Sequence, residues 1–297
     1  VDDPAPEEVV PPPKPQPQEG TPQDALSQIT EDSLRVHMNY LCSDQLEGRM
    51  SGKMGNKLAA NYIEKQFSDA GLKTLRQKFP IRRANPGPKN ETGDTFTENV
   101  IGYAEGNSPD VMVVGAHFDH IGYGREWSQS NRLAIHPGAD DNASGTSVLI
   151  EIAQAHAKLK VKRTVVFIAF SGEEMGMIGS KYYCDRPLFP LASPSISKHM
   201  FMLNFDMVGR LYPQKVDSPD DAIRELSTKY FFAKKITSRG AGGSDHAPFA
   251  ARGVPVALLH TGQHKDYHTP EDTVDKINFA GMTQIAWYAT ELAWKIG

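Results

Sequence analysis

The sequence predicts an α/β fold, a three-layer α/β/α sandwich around a mostly parallel, mixed sheet. Short, almost continuously apolar runs alternate along the chain with segments of helical periodicity. Strands that are apolar throughout are buried on both faces, which is typical of parallel sheets covered by helices. With 297 residues, 39% of them hydrophobic, the chain can enclose such a core in a single domain.

The N-terminal part differs in composition from the rest. Residues 1–24 contain eight prolines among Gln and Glu and almost no apolar side chains, so we expect a disordered, extended tail. Residues 25–297 are predicted to form one folded domain. Its first segment, 25–97, is expected to be helical, because Thr30 can cap one helix and residues 55–70 have helical spacing.

After residue 98 the sequence predicts alternating strands and helices. Four β-branched, apolar runs are predicted as buried strands: Val111–Ala116, Thr164–Phe170, Met200–Phe205 and Val254–His260. Three segments with apolar residues at helical spacing are predicted as helices: Thr146–Leu159, Met175–Cys184 and Phe279–Ile296. This order is typical of strands joined by helical crossovers.

Charge and composition exclude several functions. With 32 basic and 36 acidic residues the net charge is −4, so we expect no nucleic-acid partner. No run reaches the roughly 18 to 20 apolar residues of a membrane span. Cys42 and Cys184 are too few for a disulfide scaffold or a four-ligand structural zinc site, although one disulfide in an oxidising compartment stays open.

Side chains of the metal-binding type follow the predicted strands. The spaced set is His117, Asp141, Glu174, Asp206 and His268, separated by 24, 33, 32 and 62 residues. A strand with its crossover takes about 30 residues, so these positions fall about one unit apart and meet at the carboxyl edge of the sheet. Imidazole nitrogen and carboxylate oxygen are ligands that zinc prefers, and the sequence therefore predicts zinc at this edge.

The number of carboxylates favours two metal ions. Asp141, Glu173, Glu174 and Asp206, held about 5 Å apart, would repel one another by about 3 kcal/mol per pair at an effective dielectric constant near 20. Two divalent cations neutralise these four charges, whereas one leaves an excess of −2. Two-metal sites with one bridging carboxylate are typical of aminopeptidases and phosphatases.

Five segments together resemble the co-catalytic di-zinc aminopeptidases, a family that also includes glutamate carboxypeptidase. They are Ala116–Gly122, Gly138–Gly145, Phe170–Gly176, Leu203–Met207 and Tyr267–Asp272, and the likeness covers about residues 98–295. Leu46-Glu-Gly-Arg49 also recurs in bacterial members, and the sequence offers no physical reason for it.

The resemblance implies a role for each matching residue. His117 and Glu174 are similar to terminal ligands of separate zinc ions, and so are Asp206 and His268. Asp141 is similar to the bridging carboxylate, and a cis peptide at Asp141–Asn142 is expected from the same likeness.

The catalytic residues implied by the resemblance are Glu173, Asp119 and Tyr267. Glu173 is similar to the general base, Asp119 to the group that orients His117, and Tyr267 to a donor for the developing oxyanion. His120 is expected to support the site, and Asp245 and His246 to line the pocket.

The function implied is two-metal hydrolysis of the N-terminal peptide bond of peptides. The alternatives are a glutaminyl cyclase on the same fold, which needs a single zinc, and a non-catalytic binding module. The 62 residues between Asp206 and His268 are too few for the inserted domain of the related dimetal amidases.

We also expect a monomer. The chain begins at Val1 without a signal segment, and we expect an exported protein whose signal peptide is absent from this sequence.

Overall fold

The computed structural model describes residues 22–81, 95–124, 127–211 and 243–297. The helices of this part of the chain are α1 (Pro22–Gln28), α2 (Glu31–Leu41), α3 (Met54–Asp69), α4 (Gly145–His156), α5 (Ile178–Asp185), α6 (His246–Ala250) and α7 (Phe279–Ile296). The strands are β1 (Lys73–Ile81), β2 (Thr95–Ala104), β3 (Ser108–His117), β4 (Arg163–Phe170), β5 (His199–Phe205) and β6 (Val256–Leu259).

The strands form one mixed sheet in the order β1-β2-β4-β3-β5-β6. The pairs β4–β3, β3–β5 and β5–β6 are parallel, whereas β1–β2 and β2–β4 are antiparallel. The predicted mostly parallel, mixed sheet is thereby confirmed. The four parallel strands end at one edge, which is where an open α/β sheet binds ligands.

Alternate side chains of the strands enter two separate cores, one on each face of the sheet. Met112 and Val114 of β3 join the core beneath α1–α4 and α7. Val111 and Val113 of the same strand join the core beneath α5 and α6. Because both faces of the central strands are covered, a nearly continuous apolar sequence is what these strands require. The predicted three-layer sandwich is confirmed.

Several predicted boundaries match and one segment was assigned wrongly. Thr30 caps α2, with its side chain accepting from the Ser33 N–H, as predicted. The segment 25–97, expected to be helical, also contains β1 and the first residues of β2. These strands are antiparallel, and β1 at the edge alternates polar and apolar residues, so it lacks the apolar run of a buried strand.

Smaller differences have local causes. Helix α5 begins at Ile178 instead of Met175, because Gly176 and Met177 have positive φ and form a turn. Strand β6 is shorter than the predicted Val254–His260. The predicted tail lies outside the described residues up to position 21, and its last three residues belong to α1.

Cys42 and Cys184 are free thiols, so the disulfide that the sequence left open is not formed. Burial raises the pKa of each thiol to about 12. Within the four described ranges, no helix combines the length and the apolar character that a bilayer crossing requires.

Candidate metal centre

The side chains predicted to bind metal meet at the carboxyl edge of the sheet. His117 is the last residue of β3, Asp206 follows β5 directly, and Glu174 comes four residues after the end of β4. Asp141 lies in the irregular turn before α4, and His268 in the loop after β6. Two sets of donor atoms result, and they share Asp141.

The first donor group consists of His117, Asp141 and Asp206. His117 Nε2 is 3.5 Å from Asp141 Oδ1 and 3.5 Å from Asp206 Oδ1. All three residues are buried, and His117 is 1% exposed. Imidazole and carboxylate groups held this close and away from water are unfavourable unless a charge of the opposite sign, or a shared proton, compensates them.

The second donor group consists of His120, Asp141, Glu174 and His268. His268 Nε2 is 3.1 Å from Asp141 Oδ2 and 3.1 Å from Glu174 Oε2. Although these oxygens are near, the buried Nε2 atom forms no hydrogen bond of acceptable geometry. His120 Nδ1 lies 2.7 Å from Glu174 Oε1 and fixes that carboxylate, so the expected supporting role of His120 agrees with its position.

These distances fit zinc. Ligand atoms at 2.0–2.1 Å from a tetrahedral zinc ion are roughly 3.3 Å apart, close to the separations found in both groups. In His117 and His268 the second ring nitrogen faces a main-chain carbonyl: His117 Nδ1 is 3.2 Å from Asp119 O, and His268 Nδ1 is 3.0 Å from Trp127 O. Metal-binding histidines are typically oriented in this way, with the free nitrogen directed at the ion.

The pKa values indicate an excess of negative charge in the protein alone. Burial and the charge of Glu174 raise the pKa of Asp141 above its ordinary range. Burial by itself would lower the pKa of His268, but its contacts with Asp141 and Glu174 outweigh burial and raise this pKa to about 10. A bound cation would remove the need for these protons.

The turn that carries Asp141 is held from two sides. Asp272 Oδ2 accepts the N–H groups of Asp140 at 2.8 Å and of Asp141 at 3.1 Å. Asp140 points away from the donor groups: its Oδ1 accepts from the Gly209 N–H at 2.6 Å and its Oδ2 lies 3.0 Å from His264 Nε2. The peptide Asp141–Asn142 is cis, as the resemblance implied.

Asp119 lies where predicted, but its carboxylate does not hold His117. The distance from His117 Nδ1 to Asp119 Oδ1 is 3.8 Å, too long for a hydrogen bond, and the main-chain carbonyl of Asp119 takes this place. The carboxylate instead accepts from the Glu173 N–H at 3.2 Å and from Ser51 Oγ at 3.0 Å. Asp119 therefore orients His117 through its backbone and Glu173 through its side chain.

Glu173 and Tyr267 border the donor groups. Burial raises the pKa of Glu173 well above its ordinary value, although the charge of His117 opposes this. The ring of Tyr267 stacks on His268 with ring centroids 4.0 Å apart. Burial, together with the carboxylates of the centre, of which Asp141 has the largest effect, raises the pKa of the Tyr267 phenol. Its hydroxyl thus stays protonated and is able to donate.

Four charged residues near the donor groups were not predicted from the sequence: Arg49, Asp266 and Asp272, which are buried, and Arg210, which is partly buried. Arg49 donates to carbonyl groups beside two of the ligands. Arg210 bonds Asp266 at 2.7 Å and Asp272 at 2.8 Å, and so connects the loops that follow β5 and β6. The only sequence signal was membership of Arg49 and Asp272 in the motifs that the resemblance singled out.

Comparison with known proteins agrees with this geometry. Residues 99–293 match the sequence profile of Peptidase family M28. Aminopeptidase YwaD of Bacillus subtilis (strain 168) is 31% identical over 250 residues, which are 77% of this chain and 50% of that protein. The solved structure of BSAP, a zinc aminopeptidase from Bacillus subtilis, has a TM-score of 0.72 at 18% identity and covers 90% of this chain and 95% of its own.

A second solved structure, Porphyromonas gingivalis glutaminyl cyclase, has a TM-score of 0.73 at 17% identity and covers 91% of this chain and 99% of its own. At such identities these structural likenesses show the fold. The chain spans about half the length of the curated relatives that it matches, 50% of Aminopeptidase YwaD and 49% of a second relative. The M28 profile extends over more than half of the chain and includes every residue of both donor groups, and the chain therefore belongs to peptidase family M28.

Proposed function

We propose that this protein is a zinc-dependent aminopeptidase that binds two zinc ions and hydrolyses the N-terminal peptide bond of peptides. The observation that carries the proposal is the pair of donor groups that share the buried carboxylate of Asp141. Membership of family M28 and the fold shared with a zinc aminopeptidase support zinc as the metal and a peptide as the substrate.

In this proposal the ligands divide between two ions. His117 and Asp206 would hold one, Glu174 and His268 would hold the other, and Asp141 would be a ligand of both. The 3.5 Å and 3.1 Å separations from Asp141 to the two histidines support this division. His120 is assigned the supporting role of fixing Glu174.

The chemistry follows from the positions of the remaining side chains. Zinc in such a site supplies Lewis acidity, which makes water a better nucleophile at neutral pH and polarises a carbonyl group. Glu173 accepts the proton of the attacking water and later donates it to the leaving amine. Asp119 fixes the Glu173 main chain through the 3.2 Å hydrogen bond, and Tyr267 donates to the oxyanion that develops on the substrate.

Membership of family M28 and the fold shared with a zinc aminopeptidase support a substrate with a free α-ammonium group. The proposal therefore predicts that blocking the N-terminus of a peptide abolishes its hydrolysis. Measuring the zinc content and comparing leucyl-nitroanilide with its N-acetylated form tests both parts. We expect two zinc ions per chain and turnover of the free substrate alone; a protein that cleaves the blocked substrate equally well is not an aminopeptidase.

Glu173→Gln tests the catalytic assignment. Loss of a general base costs about 10²- to 10⁴-fold in rate, and we expect that loss in kcat with zinc content unchanged. Glu105→Gln, an exposed glutamate paired with Lys73 near the end of β2, is the matched control and should behave as the parent protein. Full activity of Glu173→Gln would overturn the role of Glu173.

A second candidate function is glutaminyl cyclisation, which the likeness to a glutaminyl cyclase fold favours. Incubation with a peptide that begins with glutamine separates the two. Release of ammonia with an intact chain indicates cyclisation, and release of glutamine indicates aminopeptidase action. Tight zinc binding without turnover of either kind would identify a binding module.

The proposal includes export and a monomeric state. Fractionation of cells that express the full-length protein and light scattering of the purified chain test these two points. Protein found in the cytosol, or a mass of twice 297 residues, would overturn them.

A further inference from the structure

Arg49 is a buried cation that donates hydrogen bonds to four main-chain carbonyl groups. The residue is 0% exposed. Its Nε donates to Phe118 O at 2.9 Å, its Nη1 to Leu41 O and to Pro137 O, and its Nη2 to Gly138 O at 3.1 Å. A charged group held away from water in this way is unfavourable unless its partners are well placed, so the arrangement needs a structural or functional reason.

Three of the four carbonyl groups that Arg49 binds belong to the segments that carry His117 and Asp141. Phe118 is the residue after His117, and Gly138 lies three residues before Asp141. The guanidinium therefore ties the two segments that carry the histidine and the shared carboxylate of the first donor group. It also anchors both segments to the end of α2 through Leu41.

The backbone around Arg49 adds a second attachment to the loop that follows β3. Gly48 O accepts the N–H of Gly122 at 3.0 Å, and Arg49 O accepts the N–H of His120 at 3.3 Å. A Cβ atom at Gly48 would lie 2.5 Å from Gly122 O, and φ is +67°, so this position requires glycine. These contacts give a physical reason for Gly48 and Arg49 in the sequence Leu46-Glu-Gly-Arg49.

The geometry of the guanidinium explains why arginine is present. Its donors form a rigid, planar fork that reaches carbonyl groups in different directions at once. A lysine ammonium keeps the charge but directs its three donors from a single atom. Methionine has a similar volume and neither charge nor donors.

We propose that Arg49 is a positioning residue for the first donor group, setting the separation of His117 from Asp141 and thereby the affinity of that group for zinc. This inference rests on the proposed two-zinc function. None of the four hydrogen bonds of Arg49 reaches the segments that carry Glu174 and His268. Loss of Arg49 therefore weakens zinc binding at the first group more than at the second.

The test measures both zinc affinities in Arg49→Lys, Arg49→Met and Arg49→Ala by competition with a chromophoric chelator. Asp206→Asn alters the first donor group alone and His268→Gln the second alone, so these two variants show which zinc affinity belongs to which group. We expect the affinity of the first group to fall roughly 10- to 100-fold, the usual effect of losing a group that orients ligands. We expect kcat to fall at limiting zinc with little change in KM, and millimolar guanidinium to restore zinc binding in Arg49→Ala.

Arg76→Met is the matched control. Arg76 lies on the edge strand β1 and bonds Glu64 and Glu98, and neither of these partners belongs to a donor group. It should leave the ratio of the two zinc affinities unchanged. Wild-type protein without two zinc sites would refute the proposed function itself. If the wild type binds two ions, folded Arg49 variants with an unchanged affinity ratio overturn the inference about Arg49. Failure of all three variants to fold, with or without guanidinium, also overturns it, because Arg49 would then serve the fold as a whole.

Discussion

Asp272 offers a direct test of how the turn that carries Asp141 is held in place. Its carboxylate is completely buried. One oxygen accepts the N–H groups of Asp140 and Asp141, and the other accepts from Arg210 at 2.8 Å. Asp272→Asn keeps the shape of the side chain but removes the charge and replaces one accepting oxygen by a donating amide.

The magnitude follows from these three bonds. A hydrogen bond to a charged group contributes about 1.5–3 kcal/mol, against about 0.5–1.5 kcal/mol for a neutral one. The change abolishes the bond from Arg210 and weakens the two bonds to the turn. Part of this loss is offset, because burial and the neighbouring charge of Asp140 raise the pKa of Asp272, which means that its ionised form is already disfavoured. We expect the free energy of unfolding to fall by about 2–4 kcal/mol.

Urea unfolding of the metal-free protein measures this change from the shift in midpoint. Zinc titration of the folded variant measures the second consequence, which is a loss of affinity of roughly 10- to 100-fold because Asp141 is no longer fixed. Asp275→Asn is the matched control in the same loop, since Asp275 is solvent-exposed and should change neither quantity. A loss of stability below about 1 kcal/mol, within the range of ordinary substitutions, would refute the reasoning.

Two further predictions concern stability. Burial lowers the pKa of His156 and of His199 to about 4 in the folded state, whereas the ordinary value is 6.5. Between pH 6.5 and pH 4 the unfolded chain therefore binds more protons than the folded one. Each of the two residues lowers the free energy of unfolding by about 3 kcal/mol as the pH falls through this range. Urea midpoints measured across that range should flatten in His156→Gln, and an unchanged slope would contradict this. Gly55→Ala should lower the free energy of unfolding by about 1–3 kcal/mol, because a Cβ atom at this position would lie 1.7 Å from Leu46 O. This loss should outweigh the higher helix propensity of alanine. A melting temperature equal to or above that of the parent protein would show that the helix can shift to make room.

The sequence was enough to predict the central strands and five of the six side chains that meet in the donor groups; His120, the sixth, was expected only to support them. Strands such as β3 and β4 are buried on both faces and therefore appear in the sequence as apolar runs, and His117 and Glu174 lie where these runs end. Strand β1 was missed because it lies at the edge and pairs antiparallel, so only part of it is buried.

The supports of the site could not be derived from local patterns. Arg49 bonds Gly138 across 89 positions, and Asp272 bonds Asp141 across 131. Such contacts depend on the completed fold and leave no periodicity in the sequence. The role of the Asp119 backbone was missed for a similar reason. Every residue has a main-chain carbonyl group, so the sequence does not show which of them faces His117.

The turn that contains Asp141 is therefore fixed by two buried charges of opposite sign. Arg49 binds carbonyl groups at its beginning, and Asp272 binds N–H groups next to Asp141 itself. Each charge satisfies main-chain groups that would otherwise be unpaired in a dry interior, where an unmade hydrogen bond is costly. Because these two side chains come from distant parts of the sequence, the carboxylate shared by both donor groups reaches its position only when the N-terminal segment and the loop after β6 have packed together. The separation of the donor atoms thus depends on the whole fold. We therefore expect substitutions of supporting residues to lower the affinity for zinc even when every residue of the donor groups is unchanged.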